Sequence, residues 1–274
     1  MSTADPPSPP PTPEDLERLA AGLAQGAAAV VRDAGIEGLA VSAKSTATDL
    51  VTQVDRDTER WLVDELALRR PEDAILGEEG GGRTGTSGVR WVLDPIDGTV
   101  NFVLGIPVYA VSVAAEIDGV VVAGAVCNPV SGELFHARLG GGGHLDGRRL
   151  GERREVPLSR AVVGTGFSYD AEVRSRQVAA LAPMLPRIGD VRRLGAASLD
   201  LCFLAAGRLD AYFETGLNPW DHAAGGLVAT EAGCLVSGLH GRPPSERLYA
   251  AAGPALAESF FALLESEGAD SVRD

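Results

Sequence analysis

One segment, residues 91–99 (WVLDPIDGT), constrains the fold of this 274-residue chain more than any other. An apolar run typical of a buried strand ends at Asp94, and Asp97 follows three residues later, just before a Gly-Thr turn. Clustered carboxylates repel one another and are costly to desolvate, so a strand that carries two of them into a loop indicates a site for hard cations. Taken alone, the motif has a second interpretation, an ordinary turn built from standard turn residues.

Two other acidic elements occur in comparable positions. Glu78 and Glu79 follow a short apolar run, and Asp221 lies where a helix is predicted to begin. Each has a simple alternative, a solvated acidic pair in the first case and a helix cap in the second. The occurrence of three acidic elements, each beside apolar structure, favours a shared metal site.

The aspartate segment also offers the other groups that phosphate hydrolysis needs. Such a reaction requires cations to neutralise the phosphate oxygens and a water activated in line. The Ile96 carbonyl is a neutral hard ligand, and the backbone N–H groups of Gly98 and Thr99 suit a phosphate oxygen at a predicted helix start. The Thr99 hydroxyl is placed to orient the attacking water. The first hypothesis is therefore a magnesium-dependent enzyme acting on phosphates.

Composition sets the broad class. With 45% hydrophobic and 23% charged residues, the chain is typical of a globular protein. A net charge of −14 without a basic stripe argues against nucleic-acid binding. The three cysteines are far apart and predict buried, inert thiols. No apolar run is long enough to span a membrane and no basic residue precedes Arg18, so we expect a cytoplasmic protein.

The first half of the chain predicts two helices packed on an antiparallel sheet. Residues 6–13 hold six prolines, so residues 1–13 are predicted to be a disordered tail. Thr12 and Pro13 mark the start of a helix that helical spacing extends to Gly35, and a second helix is predicted over residues 52–69. Strands are predicted over 74–76, 89–93, 109–117 and 120–127.

The second half alternates strands and helices, which implies a second, smaller mixed sheet covered by helices. Its predicted strands are 161–164, 192–194, 209–213 and 248–251, and its predicted helices are 172–185, 197–206, 221–232 and 255–265. The glycine run at 140–143 lacks a P-loop ending and is predicted to be a mobile turn. We expect one unit, residues 14–274, of two subdomains (about 14–150 and 151–274) with the site between them.

Lysine and histidine are two further residue types that could take part in a catalytic or metal site. Lys44 is the only lysine and adjoins a Thr/Asp-rich segment, so it is either a compact ammonium near the site or a chance surface residue. None of the four histidines lies in a pair at metal-ligand spacing along the sequence. A serine hydrolase is disfavoured because no G-x-S-x-G elbow occurs.

Three segments together resemble the signature segments of the inositol monophosphatase family. They are residues 77–79 (GEE), 91–102 (WVLDPIDGTVNF) and 220–225 (WDHAAG). Their order and spacing match, and the resemblance covers residues from about 14 to 265. It implies the layered α/β/α/β/α fold of the sugar-phosphatase type, an α+β architecture with an antiparallel-rich N-terminal sheet, and a lithium-sensitive homodimer.

The resemblance also implies roles for individual residues. Two to three Mg²⁺ ions would be held by Glu78, Asp94, the Ile96 carbonyl, Asp97 and Asp221. Thr99 and Glu78 would position the attacking water, with Asp55 and Lys44 around them. The substrate would contact Asp97, Gly98, Thr99, Gly195, Ala196 and Glu214. The implied reaction is in-line attack by a metal-activated water, without a phosphoenzyme.

The substrate is the least determined part. The family's glycine, Ser/Thr, alanine segment is Gly195-Ala196-Ala197 here, so one hydroxyl near the substrate is missing, although Ser198 follows. Inositol 1-phosphate is the first candidate, and histidinol phosphate, fructose 1,6-bisphosphate and a nucleotide 3′-phosphate are alternatives. A non-catalytic regulatory partner of the transcription machinery is the alternative from another class.

Overall fold

The computed structural model describes residues 11–35, 41–43 and 50–272. The helices there are α1 (Pro13–Ala34), α2 (Gln53–Arg69), α3 (Thr99–Leu104), α4 (Ala171–Leu181), α5 (Ala197–Ala205), α6 (Pro219–Glu231) and α7 (Pro254–Ser266). The first strands are β1 (Val41–Ala43), β2 (Leu50–Thr52), β3 (Ala74–Gly77), β4 (Val89–Asp97), β5 (Ala110–Ile117), β6 (Val120–Cys127) and β7 (Leu134–Arg138). The remaining strands are β8 (Gly142–Leu145), β9 (Arg148–Arg149), β10 (Val162–Thr165), β11 (Asp190–Arg192), β12 (Ala211–Glu214), β13 (Leu235–Ser237) and β14 (Tyr249–Ala252).

The larger sheet has seven strands in the order β3-β4-β5-β6-β7-β8-β9. All neighbours are antiparallel except β3 and β4, which are parallel, so the predicted antiparallel sheet is mixed at this edge. Strands β7 to β9 were not predicted. The glycine run at 140–143 is only partly a turn, because Gly142 already begins β8.

The smaller sheet has the order β11-β10-β12-β14-β13 and is mixed, as predicted. The predicted elements of this half lie within a few residues of their expected bounds, and two of the differences concern the site or the length of a helix. The strand expected at 192–194 lies at Asp190–Arg192 instead, and residues 193 and 194 lead into a loop that reaches the cleft described below. The helix expected over 172–185 ends at Leu181.

The two sheets and the helices form five layers. On one face of β4, Trp91 and Leu93 are fully buried against α1 and α2, while Val92 on the opposite face packs against α5 and α6. This alternation follows from the two-residue period of a strand. Because helices cover both faces, β4 is apolar at consecutive positions, which explains the continuous run before Asp94. Phe260 of α7 packs on the outer face of the smaller sheet.

Local sequence explains where the main helices begin. Thr12 caps α1 by accepting from the Asp15 N–H, and the Asp15 carboxylate accepts from the Thr12 N–H in return. Thr52 and Asp55 form the same reciprocal cap at α2. Residues 1–10 of the predicted tail lie outside the described residues. The division into two subdomains near residue 150 stays a prediction. Among the described helices, none combines the length and apolar character that crossing a bilayer requires.

Candidate active site

The predicted aspartates lie at the end of β4, where its pairing with β5 becomes irregular. The register between these strands shifts between Asp94 and Asp97, and Pro95 occupies the position that makes no ladder bond. Both carboxylates are buried, with exposed fractions of 1% for Asp94 and 8% for Asp97. The Ile96 N–H donates to Asp94 Oδ1 at 3.0 Å, which fixes that carboxylate within the turn.

Glu78 reaches the same place because β3 and β4 are parallel. It follows the last residue of β3, and its N–H donates to the Leu93 carbonyl at 3.2 Å. Parallel strands end at one edge of a sheet, so Glu78 and Asp94 emerge side by side. The opposite wall comes from α6, where Asp221 lies in the first turn and accepts from the Asn218 N–H at 2.6 Å.

A cleft of about 600 Å³ brings most of the predicted site together. Its lining includes Glu78, Asp94, Ile96, Asp97, Gly98, Thr99, Gly195, Ala196, Glu214 and Asp221. These residues come from β4, from the residue after β3, from the starts of α3 and α6, from the end of β12 and from the loop before α5. Segments separated by more than a hundred positions along the chain therefore share one concave surface.

One predicted residue, Asp55, is not in the cleft lining. Asp55 is fully buried behind it, and the Thr99 hydroxyl lies 3.0 Å from both Asp55 Oδ1 and the Ile96 carbonyl. Asp55 thus combines the α2 cap with support of Thr99. Lys44, the other residue expected around the site, lies outside the described residues.

Glycine is required where α3 meets the loop before α5. Gly98 has a φ of +92°, and a side-chain carbon there would lie 3.0 Å from the Gly195 carbonyl oxygen. Both the left-handed backbone and the close approach exclude other residues. The Asn101 amide joins the same two segments by donating to the Val108 and Leu194 carbonyls at 2.6 and 2.8 Å.

Burial and mutual repulsion raise the pKa values of the cleft carboxyls. Desolvation holds the pKa of Asp94 well above its ordinary value, and the charges of Glu78, Asp97 and Asp221 add to that effect. Desolvation raises the pKa of Asp97 to about 7, although hydrogen bonds from Ser198 oppose the shift. Asp221 is raised well above its ordinary pKa, first by burial and then by the charge of Asp97. The raised pKa values of Asp94 and Asp221 indicate that the described residues do not offset this concentration of negative charge.

Sequence reasoning missed three groups that hold the acidic side chains in place. Ser198 donates to Asp97 Oδ2 from its N–H at 2.7 Å and from its hydroxyl at 2.5 Å. The buried Glu59 of α2 accepts from the N–H groups of Glu79 and Gly81 at 2.8 and 2.7 Å, fixing the loop after β3. The Tyr212 hydroxyl donates to Glu214 at 2.7 Å. The only sequence signal was the position of Ser198 directly after the altered Gly195-Ala196-Ala197 segment.

A second group of possible metal ligands lies outside the cleft. In the part of the chain that the structure describes, one set of three or more acidic, His or Cys residues has ligand atoms all within 4.8 Å of one another. It consists of Glu17, His136 and His144, none of which lines the cleft.

Comparison with known proteins gives the family. Residues 12–269 match the model of the inositol monophosphatase family, a metal-dependent family. The inositol-1-monophosphatase of Mycobacterium leprae is 50% identical, over 92% of this chain and 94% of that protein. The crystal structure of the extragenic suppressor protein SuhB from Bartonella henselae superposes with a TM-score of 0.85 at 34% identity, over 90% of this chain and 97% of that one.

A further relative bears a different name. The Nus factor SuhB of Vibrio cholerae is 42% identical, over 70% of this chain and 73% of that protein. The family match spans both sheets and all the segments that line the cleft. The layered fold inferred from the sequence is that of the solved family members. The chain belongs to the inositol monophosphatase family and is a phosphoric monoester hydrolase.

Proposed function

We propose that the protein hydrolyses a small phosphate monoester in a magnesium-dependent reaction, with inositol 1-phosphate as the first candidate substrate. The observation that carries this proposal is the convergence of Glu78, Asp94, Asp97 and Asp221 on one cleft. Buried carboxylates whose pKa values are pushed upward by one another need a compensating positive charge. Divalent cations supply that charge.

The donor set fits magnesium. Every group assigned to the ions is an oxygen: the four carboxylates and the Ile96 carbonyl, all of which line the cleft. Oxygen donors are the ligands that Mg²⁺ prefers, whereas a softer ion would be expected to bind nitrogen or sulfur. We assign two to three ions to these five residues. Bound there, the ions would neutralise phosphate oxygens and make a water more acidic.

The remaining residues of the cleft would bind the phosphate, orient the attacking water and support the metal ligands. Gly98 and Thr99 line the cleft at the start of α3, and their N–H groups would hold a phosphate oxygen. The Thr99 hydroxyl, supported by Asp55, would accept a hydrogen bond from the attacking water and so orient it. Ser198 keeps Asp97 in place through two hydrogen bonds. The chain itself supplies no nucleophile in this proposal.

Substrate recognition is assigned to the far wall of the cleft. Gly195, Ala196 and Glu214 line it, and the Glu214 carboxyl is fixed by the Tyr212 hydroxyl as an acceptor for substrate hydroxyls. Gly166 leaves room for it, since a side-chain carbon at Gly166 would lie 2.0 Å from Glu214 Oε1. The cleft volume is in the range of small-molecule sites. Names of relatives such as the Mycobacterium leprae protein favour inositol 1-phosphate.

A substrate panel at fixed Mg²⁺ tests this assignment. We expect kcat/KM for inositol 1-phosphate to exceed the values for histidinol phosphate, fructose 1,6-bisphosphate and a nucleotide 3′-phosphate by at least about tenfold, or 1.4 kcal/mol. A higher value for any of the other three would reassign the substrate while keeping the reaction. Absence of phosphate release from all four would contradict the proposal.

A regulatory role in transcription is the second candidate, because relatives such as the Vibrio cholerae protein are called Nus factors. A protein that only binds a partner has no need of four carboxylates around one cleft, two of them buried, and this favours hydrolysis. We further propose a cytoplasmic homodimer inhibited by lithium. Sedimentation at micromolar concentration would show the dimer, and full activity at high millimolar LiCl would contradict the lithium proposal.

A further inference from the structure

Two histidines face each other across the hairpin formed by β7 and β8. His136 and His144 are directly opposite in the antiparallel register, and their rings stack at 13° with centroids 5.2 Å apart. Helix α1 crosses this face of the sheet and brings Glu17 to the pair, with Glu17 Oε1 at 2.7 Å from His136 Nδ1. One ligand atom from each of the three residues lies within 4.8 Å of the others.

One atom of this cluster has no evident structural role. His144 Nδ1 is buried, and among the described residues no hydrogen-bond partner reaches it. Burying a polar nitrogen without a partner costs about 1–3 kcal/mol, so such an atom needs an explanation. Its ring is held beside His136, whose own Nδ1 is directed at a carboxylate. A cation would give the unpartnered nitrogen a ligand role.

We propose that Glu17, His136 and His144 form a second metal site, for one divalent transition-metal ion of the zinc class. Two imidazoles and one carboxylate are a donor set that zinc adopts with a water in the fourth position. Magnesium, which prefers oxygen ligands, is not expected here. None of the three residues lines the cleft, so this site is separate from the one assigned to Mg²⁺.

The surroundings suit such an ion. Arg138 Nη1 donates to Glu17 Oε2 at 2.7 Å and orients the carboxylate, while Oε1 would exchange its contact with His136 Nδ1 for the metal. Zinc ligands about 2.0 Å from the metal lie roughly 3.3 Å from one another, so the three atoms must draw together slightly. The His136 side chain is 20% exposed, which provides a path for the ion and its water from solvent.

The function we assign to the site is to tie α1 to the edge of the larger sheet. Glu17 belongs to the first helix, whereas the histidines lie more than a hundred residues later on β7 and β8. An ion bound only by the folded arrangement stabilises it by mass action. The site therefore predicts a zinc-dependent rise in thermal stability with no change in phosphatase activity.

Calorimetric titration of the full-length protein with Zn²⁺, in saturating Mg²⁺ to occupy the cleft, tests the proposal. We expect one Zn²⁺ per chain and a rise in the unfolding temperature. His144→Gln should weaken that binding by at least about 100-fold, since loss of a supporting partner alone costs 10–100-fold. His144 is the variant of choice because its Nδ1 makes no hydrogen bond to lose. His136→Gln is a second variant with the same expected effect.

His240→Gln is the matched control, since it removes an imidazole that lies near Glu265 and Asp270 instead. It should bind Zn²⁺ as the parent does. The proposal is overturned if the parent binds no Zn²⁺ in the presence of Mg²⁺, or if His144→Gln and His136→Gln bind it as tightly as the parent. Weaker binding by the control as much as by His144→Gln would also overturn it.

Discussion

At the scale of single residues, the site depends on groups that carry no charge. Asp97 is a candidate metal ligand, yet burial raises its pKa to about 7, and hydrogen bonds from Ser198 act against that rise. Ser198 therefore helps to keep the carboxylate ionised and pointed into the cleft. The family's usual hydroxyl two positions earlier is absent, but the hydroxyl that contacts Asp97 is retained.

Replacing Ser198 tests this support. Ser198→Ala removes the hydroxyl donor and keeps the backbone donor, so we expect the Mg²⁺ concentration for half-maximal activity to rise by about 10-fold. Activity at saturating Mg²⁺ should recover in large part. Ser168→Ala is the control, because Ser168 lines the same cleft but its hydroxyl contacts Asp170 rather than a candidate ligand. Equal Mg²⁺ dependence in Ser198→Ala and the parent would contradict the assignment.

At the scale of elements, helix α2 holds both the loop that carries Glu78 and the strand that carries the aspartates. Glu59, in the middle of α2, accepts from two N–H groups of the loop after β3. Beyond the helix end, Asp73 accepts from Arg70, Ser87 and the Trp91 indole N–H of β4. Glu59 and Asp73 thus fix the β3–β4 edge of the larger sheet, on which the site is built.

Glu59→Gln should destabilise the protein and the loop together. The Gln side chain has one acceptor oxygen, whereas the N–H groups of Glu79 and Gly81 each donate to a separate oxygen of Glu59. The NH₂ group of the Gln would therefore face one of these N–H donors. We expect a loss of about 1–3 kcal/mol in the free energy of unfolding, measured with urea. Glu65→Gln, on the same helix and in a surface pair with Arg69, should cost less than about 1 kcal/mol. Equal effects of the two variants would contradict the role of Glu59.

Asp73 predicts a pH dependence of stability. Burial favours its neutral form, but hydrogen bonds from Arg70, Ser87 and Trp91 hold its pKa below the ordinary 3.8. A carboxyl whose pKa is lower in the folded than in the unfolded state stabilises the protein at pH values above its unfolded-state pKa. That stabilisation is lost as the pH falls through the folded-state pKa. Urea unfolding should thus show stability declining below about pH 5, and Asp73→Asn should flatten the decline. If stability declines with falling pH as steeply in Asp73→Asn as in the parent, Asp73 is not the source of the decline.

At the scale of the whole molecule, sequence reasoning succeeded where local pattern and chemistry agree. The run before Asp94 indicated a buried strand, which is β4 in the structure. The two aspartates indicated a metal site, and both lie near the end of β4 in the lining of the cleft. Sequence reasoning failed at β7 to β9, which are five, four and two residues long and lack a continuous apolar run; β8 begins with two glycines. The same hairpin pairs His136 with His144, which are eight positions apart along the chain. Cross-strand neighbours of this kind follow from register, which spacing does not reveal.

The central claim is that carboxylates from separate segments hold divalent cations in one cleft. Its most direct test is the Mg²⁺ dependence of phosphate release from inositol 1-phosphate by Asp94→Asn and Asp221→Asn, with Asp190→Asn as a control in the exposed pair with Arg192. We predict that each of the first two lowers kcat/KM by at least about 100-fold, as expected for lost charge stabilisation, while the control stays near the parent value. Activity of either variant within tenfold of the parent would contradict the account.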